Sequence, residues 1–326
     1  MSDPNENSPA TAPFKILCLD GGGAKGVYTL GFLKELEAIV KAPLGEYFDA
    51  IYGTSTGAII AALLGLGRPT EEVLKLYLKH VPEILYVPYL LRWPYGGWFR
   101  SRALARVGND LFKKEKFDAF KTFVGIVATN WAMERPLIFK SSVQAAYNLK
   151  ETFLPGFGCT ISEAVQASCS ATPYFNSVEL NLQNVGPTFC RDGGFAANNP
   201  ALFALTDALK SFGRPAAQIR LLTLGVGHYP QPKQGPLARI LQRVPTAHLL
   251  QKTLNVNANT TAQLVKFLCN DVQHLRVSER FESPELATDF LEYRVPKLQQ
   301  LVVRGRQSFA EEEQNVRNLF DLHAKN

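Results

Sequence analysis

Ser55 stands in a pentapeptide whose spacing fits a catalytic nucleophile. The pentapeptide GTSTG, from Gly53 to Gly57, has the G-x-S-x-G pattern of a nucleophile elbow, a strained strand-to-helix turn that exposes a serine Oγ at a sheet edge. A strand pattern precedes it, and an almost wholly apolar helical pattern over residues 58–66 follows it. The pentapeptide alone recurs by chance, but these flanking elements predict that Ser55 is a catalytic nucleophile.

A nucleophilic serine needs a base, and the histidines do not offer one in a recognisable catalytic setting. They are His80, His228, His248, His274 and His323. His228 follows a strand-end glycine and is the one serious candidate, although a surface loop histidine is the other interpretation. Asp192 ends a predicted strand and precedes Gly193 and Gly194, so it would lie at the same sheet edge as Ser55. The residues alone leave open whether Asp192 is a base or only a turn residue.

A glycine-rich stretch, DGGGAKG at 20–26, lies between a short apolar strand pattern and a helical pattern that begins near Gly26. Backbone N–H groups at a helix N-terminus can bind a phosphate or the oxyanion of a reaction. The glycines satisfy G-x-G-x-x-G, but a dinucleotide site wants an acidic residue at the end of the second strand. Glu35 and Glu37 fall inside the helical pattern, and Asp49 comes too late. Val27 stands where a Walker A loop requires lysine, so neither nucleotide motif is complete.

The elements that must position these residues alternate between strand and helix patterns. Buried strands are predicted at 14–19, 47–53, 123–130, 136–141, 187–194 and 219–227. Such alternation is typical of an α/β fold with a mostly parallel sheet, covered by helices on both faces. We predict a flexible N-terminal tail over 1–13, a catalytic domain over 14–227 and a C-terminal helical region over 228–326. Helical patterns in the last region include 237–244 and 260–275.

Composition narrows the class of protein. The 326 residues are 46% hydrophobic and 20% charged, which predicts one large globular domain. The polar N-terminus lacks the features of a signal peptide, and no apolar run approaches the length that spans a bilayer. Five cysteines without a CxxC pair or a zinc-ligand pattern fit a reducing cytoplasm and no metal. The net charge of +6 permits anionic partners, but no motif indicates a nucleic acid polymer.

Three motifs in order resemble those of the patatin-like phospholipases, lipid acyl hydrolases with a Ser–Asp dyad. They are DGGGAKG at 20–26, GTSTG at 53–57 and DGGFAANNP at 192–200, and two further segments, SATPYF at 170–175 and LTLGVG at 222–227, are also similar. The resemblance spans about residues 14–227. It implies a three-layer α/β/α patatin-like fold in which Ser55 and Asp192 form the dyad, without a metal or cofactor.

The resemblance also implies a role for the glycine-rich stretch. Its backbone N–H groups would stabilise a tetrahedral oxyanion, and the predicted oxyanion-hole residues are Gly21, Gly22, Gly23, Lys25 and Gly26. Lys25 could support the oxyanion or a lipid phosphate, or it could hold the loop from outside the active centre, which we favour. An unperturbed aspartate is a poor base for a hydroxyl. We therefore expect apolar walls to raise the proton affinity of Asp192 by desolvation.

The activity implied is hydrolysis of carboxylic esters in membrane phospholipids. The same catalytic residues could instead serve a constitutive lysophospholipase, a thioesterase or a general esterase. An alternative of a different class is a non-catalytic module that binds a lipid or a nucleotide. The layout is similar to that of cyclic-nucleotide-activated phospholipases of bacterial antiphage defence, so a cyclic nucleotide is a candidate activator. The enzyme would be cytoplasmic and would bind the inner membrane peripherally when active.

Two regions are candidates for contact with lipid and activator. Residues 83–102 combine aromatic side chains, including Trp93 and Trp98, with arginines, which suits a headgroup region, while a buried aromatic cluster is the alternative. The C-terminal region carries candidates for an anionic ligand, which scattered surface charge also explains: Arg239, Arg243, Lys252, Arg276, Arg280 and the amide-rich stretch 255–263.

Overall fold

A mixed eight-stranded sheet is the centre of the computed structural model, which describes residues 12–91, 95–149, 154–228 and 246–322. The strands are β1 (Phe14–Leu19), β2 (Ala50–Thr54), β3 (Phe123–Asn130), β4 (Arg135–Lys140), β5 (Val178–Leu182), β6 (Gly186–Asp192), β7 (Ile219–Leu224) and β8 (Gln273–Val277). Five neighbours in the order β3-β2-β1-β7-β8 are parallel. β4 and β6 run antiparallel to β3, and β5 runs antiparallel to β6. The predicted α/β fold with a mostly parallel sheet is confirmed.

Helices cover both faces of this sheet. They are α1 (Gly26–Val40), α2 (Leu44–Tyr47), α3 (Thr56–Gly65), α4 (Thr70–Leu85), α5 (Gly96–Phe112), α6 (Ile161–Ser168), α7 (Gly194–Ala197), α8 (Ala201–Thr206), α9 (Thr246–Leu268) and α10 (Val295–Leu319). Single 3₁₀ turns include Gly23–Lys25 before α1 and Tyr89–Leu91 after α4, and a π-helical turn, Asp207–Ser211, extends α8.

The side chains of β1 show how the three layers are held together. Leu17 and Leu19 point into one apolar core with helices α1, α3 to α6 and α10. Ile16 and Cys18 point into the other, with α8 and α9. Alternate residues of a strand face opposite sides of a sheet, so a β1 strand that is apolar throughout must be covered on both faces.

The ends of β2 and β6 meet on one edge of β3, and this places the candidate nucleophile beside the candidate base. Thr54, the last residue of β2, pairs with Val127, and Asp192, the last residue of β6, pairs with the next residue, Ala128. β4 occupies the other edge of β3 over these same positions. Because β2 is parallel to β3 and β6 is antiparallel, the two strands run toward each other and end at adjacent positions.

Two strands were not predicted from the sequence, and one predicted helix is partly wrong. β5 and β8 were not predicted, and the helical pattern at 260–275 is wrong beyond Leu268, because Gln273–Val277 forms β8. β8 is an edge strand and only its last residue is buried, so it lacks the continuous apolar run of the central strands. The helical pattern at 237–244 and most of the predicted tail at 1–13 lie outside the described residues. The proposed domain limits therefore stay a prediction.

Candidate active site

Ser55 lies in a sharp turn between β2 and α3. Its backbone has φ 53° and ψ −120°, a conformation that favours glycine and costs another residue about 1–3 kcal/mol. The glycines on either side allow the turn to close on its neighbours. A Cβ on Gly53 would lie 2.2 Å from the carbonyl oxygen of Gly57, and a Cβ on Gly57 would lie 2.2 Å from that of Leu19. The turn has the strain and the close packing of a nucleophile elbow.

The Asp192 carboxylate is directly hydrogen bonded to the serine hydroxyl. Ser55 Oγ donates to Asp192 Oδ2 at 2.8 Å, and the N–H of Gly194 donates to Asp192 Oδ1 at 2.7 Å. The side chain is buried, and this desolvation raises the pKa of Asp192 to about 6, against the opposing effect of the bonds from Gly194 and Ser55. A carboxyl group with this pKa is a far better base near neutral pH than an ordinary aspartate.

The glycine-rich loop follows β1 and leaves two N–H groups open. Gly23 has φ 59°, and a Cβ there would lie 2.3 Å from the carbonyl oxygen of Phe290. The Ala24 N–H donates to that oxygen at 2.9 Å, and Tyr77 Oη donates to the carbonyl of Gly23 at 2.7 Å. Within the described residues, the N–H groups of Gly22 and Gly23 donate to no protein acceptor. They are therefore free to bind an oxyanion.

Lys25 and Asp20, at the two ends of the loop, are both buried and tied to distant segments. Lys25 Nζ donates to the carbonyl of Gly227 at 3.4 Å, and burial lowers the pKa of Lys25 to about 8. Arg276 Nη1 donates to Asp20 Oδ1 at 2.8 Å, and Nη2 donates to Oδ2. Arg276, a candidate for an anionic ligand, thus already has a carboxylate partner on the loop.

Ser168, which the sequence analysis did not single out, holds the nucleophile elbow in place by hydrogen bonds to its backbone and to β3. Its Oγ accepts a hydrogen bond from the N–H of Ser55 at 2.8 Å and donates one to the carbonyl of Val127 at 2.5 Å. Its own carbonyl accepts from the N–H of Gly193 at 3.1 Å. One buried residue at the end of α6 therefore fixes the backbone beside both Ser55 and Asp192.

An apolar pocket of about 790 Å³ opens above the dyad and the glycine-rich loop. Helix α4 lines it with Tyr77, Val81, Ile84 and Leu85, which share one helix face. Its other apolar lining residues include Leu104, Phe175, Leu250, Leu254 and Phe290. An acyl chain suits such walls, and its presence would exclude water from the dyad.

Histidine and metal chemistry have no support among the described residues. None of the histidine side chains that the structure describes lines the apolar pocket, and His228 lies in a separate polar pocket behind the glycine-rich loop. Over the same residues, no group of three or more histidine, cysteine, aspartate and glutamate side chains could hold a metal ion.

A family model described as patatin-like phospholipase matches residues 17–205, which include the loop, the elbow and the Asp-Gly-Gly sequence. The chain belongs to this family. The predicted resemblance is therefore confirmed. The roles assigned to single residues of this patatin-like site stay predictions, although the hydrogen bonds above bring the predicted dyad together.

Relatives of this patatin-like chain include enzymes controlled by cyclic nucleotides. It is 45% identical over 303 residues to a cUMP-AMP-activated phospholipase of Escherichia coli, and the match covers 93% of this chain and 92% of that protein. It is 28% identical to a cGAMP-activated phospholipase of Pseudomonas aeruginosa, with 65% and 62% covered. The crystal structure of VipD from Legionella pneumophila superposes with a TM-score of 0.45 at 13% identity, covering 96% of this chain and 68% of that one.

The raised pKa of Asp192 predicts how the patatin-like site responds to acid. Only the carboxylate can accept the Ser55 proton, so kcat/KM should fall about tenfold for each pH unit below about 6 and level off above about pH 7. The measurement is hydrolysis of a short soluble ester between about pH 5 and pH 8, with folding followed by circular dichroism. A rate that stays constant down to the ordinary aspartate range, about pH 4, would contradict this role.

Proposed function

We propose that the protein hydrolyses carboxylic ester bonds of membrane phospholipids. The single observation that carries the proposal is the hydrogen bond of 2.8 Å between Ser55 Oγ and Asp192 Oδ2 at the base of an apolar pocket. Family membership supports a phospholipase over an esterase of another class. The free N–H groups of Gly22 and Gly23 border the same pocket, so a nucleophile, a base and an oxyanion site meet in one place.

The reaction proceeds in two steps, the acylation of Ser55 and the hydrolysis of the acyl-serine. Ser55 Oγ attacks the ester carbon while its proton passes to Asp192, and the N–H groups of Gly22 and Gly23 stabilise the oxyanion. The tetrahedral intermediate collapses to an acyl-serine, and the lysophospholipid leaves with the proton from Asp192. Water then attacks the acyl-serine, gives its proton to Asp192 and releases the fatty acid, after which Ser55 is protonated again.

We further propose that a cyclic dinucleotide activates this reaction. The 45% identity extends over 93% of the chain to a phospholipase described as cUMP-AMP-activated, so it continues past the catalytic motifs into the C-terminal region. An activator must bind the active form better than the inactive one, and a tenfold stimulation needs about 1.4 kcal/mol of such preference.

Lipid release from vesicles tests both parts of this function. Purified protein should release fatty acid weakly alone and at least tenfold faster with one member of a panel containing cUMP-AMP and cGAMP. Fatty acid and lysophospholipid are separated by mass spectrometry, with linear dinucleotides as controls. Full activity without any nucleotide would remove the regulatory part and leave a constitutive phospholipase, whereas no lipid release under any condition would remove the catalytic part.

An exposed aromatic segment after α4 supports contact with membrane. Tyr89 is 83% exposed, Leu90 is 88% exposed and Trp98 is 47% exposed, so these residues do not form the alternative buried cluster. The Arg102 guanidinium lies over the Trp98 ring at 5.2 Å. Amphipathic rings with cations suit the headgroup region. In this proposal the enzyme is cytoplasmic and binds the inner membrane peripherally when active. Trp93 lies outside the described residues.

The exposed segment makes vesicle binding sensitive to two side chains. Replacing Tyr89 and Trp98 together by alanine should weaken binding to anionic vesicles about tenfold, because the apolar area that enters the headgroup layer is lost. Vesicle sedimentation measures binding, and a short soluble ester reports the dyad separately. If hydrolysis of the soluble ester falls as much as vesicle binding, or if the melting temperature falls, these residues stabilise the fold and do not contact the membrane.

A further inference from the structure

A second pocket, of about 290 Å³, adjoins the glycine-rich loop without containing the dyad. Unlike the apolar pocket, it is lined mainly by polar side chains: Asn198, His228, Asn255, Asn259, Arg276 and Ser278. The proposed hydrolysis uses none of these side chains.

The pocket occupies the part of the sheet edge that the dyad leaves unused. Asp20 follows β1, residues 226–228 follow β7 and Ser278 follows β8, and all of them line it. β1, β7 and β8 are parallel, so their carboxyl ends lie side by side. Ligands of open α/β sheets bind beyond these ends.

The lining side chains have unused capacity to bind a polar ligand. Within the described chain, the side chains of Asn255, Asn259 and Ser278 form no hydrogen bonds. A carboxamide presents a donor and an acceptor side by side, which matches the edge of a nucleobase. The pKa of the neighbouring His228 is lowered by burial and then by the charges of Lys25 and Arg280, which shows cationic groups close to the pocket.

Helix α9 belongs to the walls of both pockets. Leu250 and Leu254 line the apolar pocket, Ala258 and Asn259 line the polar one, and Asn255 lines both. A ligand that contacts Asn255 and Asn259 therefore touches the helix that covers the dyad.

A chain of hydrogen bonds also joins α9 to the glycine-rich loop. Asn257 Oδ1 accepts from the N–H of Asn198 at 2.7 Å. Asn198 in turn accepts at its carbonyl from the N–H of Gly21 at 3.1 Å, and its Nδ2 donates to the carbonyl of Gly21 at 3.2 Å. Since Asn198 also lines the polar pocket, occupancy there is coupled to the backbone that precedes the oxyanion site.

We propose that this polar pocket, between α9 and the carboxyl ends of β1, β7 and β8, binds one nucleoside unit of the cyclic dinucleotide activator. The inference rests on the proposed regulation. The polar side chains lie together in one small pocket, so the pocket contacts one unit of a dinucleotide while the other unit lies outside. The asparagine amides read the base, and the nearby cations attract the phosphates.

The test measures cUMP-AMP binding by isothermal titration calorimetry to full-length variants of the pocket. Replacing Asn259 and Ser278 together by alanine should raise Kd at least tenfold, and Asn259→Asp, which adds a negative charge with little change in shape, should also raise it. Gln263→Ala is the matched control, since Gln263 is an exposed amide on α9 outside both pockets. Its Kd should stay within about twofold of the unmodified chain.

Lipid release gives a second readout for the same variants. If the pocket binds the activator, the concentration for half-maximal stimulation should rise with Kd, while saturating cUMP-AMP still stimulates the double variant. An unchanged Kd in the double variant, with normal binding by the unmodified chain, would overturn this site and leave the activation intact. If neither cUMP-AMP nor cGAMP binds the unmodified chain, both the site and the proposed regulation are wrong.

Discussion

Replacing Ser55 with alanine should lower phospholipid hydrolysis by roughly 10⁴-fold or more, because the acyl-enzyme can no longer form. Asp192→Asn should cause a loss of similar order, since the amide cannot accept the Ser55 proton and the two groups act as a unit. Fatty acid release from vesicles and hydrolysis of a soluble ester measure both losses. Ser162→Ala is the control and should keep most of the activity, because Ser162 is a buried serine that donates to Asn109 on α5, away from the dyad.

The thermal stability of the Asp192 variant distinguishes loss of chemistry from loss of fold. The folded pKa of about 6 exceeds the ordinary 3.8, so the stability contributed by protonated Asp192 is present below pH 3.8 and is lost as pH rises through about 6. A neutral asparagine avoids this loss, so Asp192→Asn should melt a few degrees higher near pH 7. Near-normal hydrolysis in the Ser55 or Asp192 variant would refute the dyad.

Replacing Gly23 with alanine should reduce kcat/KM by roughly 10²- to 10³-fold, the effect of losing one oxyanion donor. Gly23 has φ 59°, and an added Cβ would lie 2.3 Å from the backbone oxygen of Phe290, so the loop must move. That movement displaces the N–H groups of Gly22 and Gly23 from the position of the developing oxyanion. Steady-state kinetics on a soluble ester measure the change.

Gly213 offers a close control for the backbone conformation alone. It has φ 60°, and an alanine Cβ there would have no neighbour within 4 Å. Gly213→Ala should therefore cost about 1 kcal/mol of stability and little activity. If both alanine variants lose the same small amount of activity, the glycine-rich loop does not supply the oxyanion donors.

The catalytic motifs could be predicted because each is local in the chain. Gly53 and Gly57 accompany the turn that holds Ser55, and Gly193 and Gly194 follow Asp192 directly, so short-range patterns contained the chemistry. An aspartate that acts as the base without a histidine needs a raised pKa, so desolvation of Asp192 could be expected from the sequence. Burial does raise the pKa of Asp192 in the structure.

The parts that escaped prediction depend on contacts between distant residues. Arg276 pairs with Asp20 across 256 positions, and Ser168 reaches Ser55 across 113, so no local pattern contains either pair. The antiparallel direction of β6 also depends on its pairing with β3, where Asp192 lies opposite Ala128. Asn198 likewise acquires its place between α9 and the loop only in the folded chain.

The meeting of β2 and β6 on β3 determines where this chain can tolerate insertions. Thr54, directly before Ser55, pairs with Val127, and Asp192 itself pairs with Ala128, so adjacent residues of β3 fix the separation of the dyad. One extra residue between Val127 and Ala128 would move the two ends apart by about 3.3 Å and break the bond between serine and aspartate. Lengthening the surface loops between Ser55 and Asp192 would leave that spacing unchanged. Longer loops there would change the contacts to substrate without separating the serine from the aspartate.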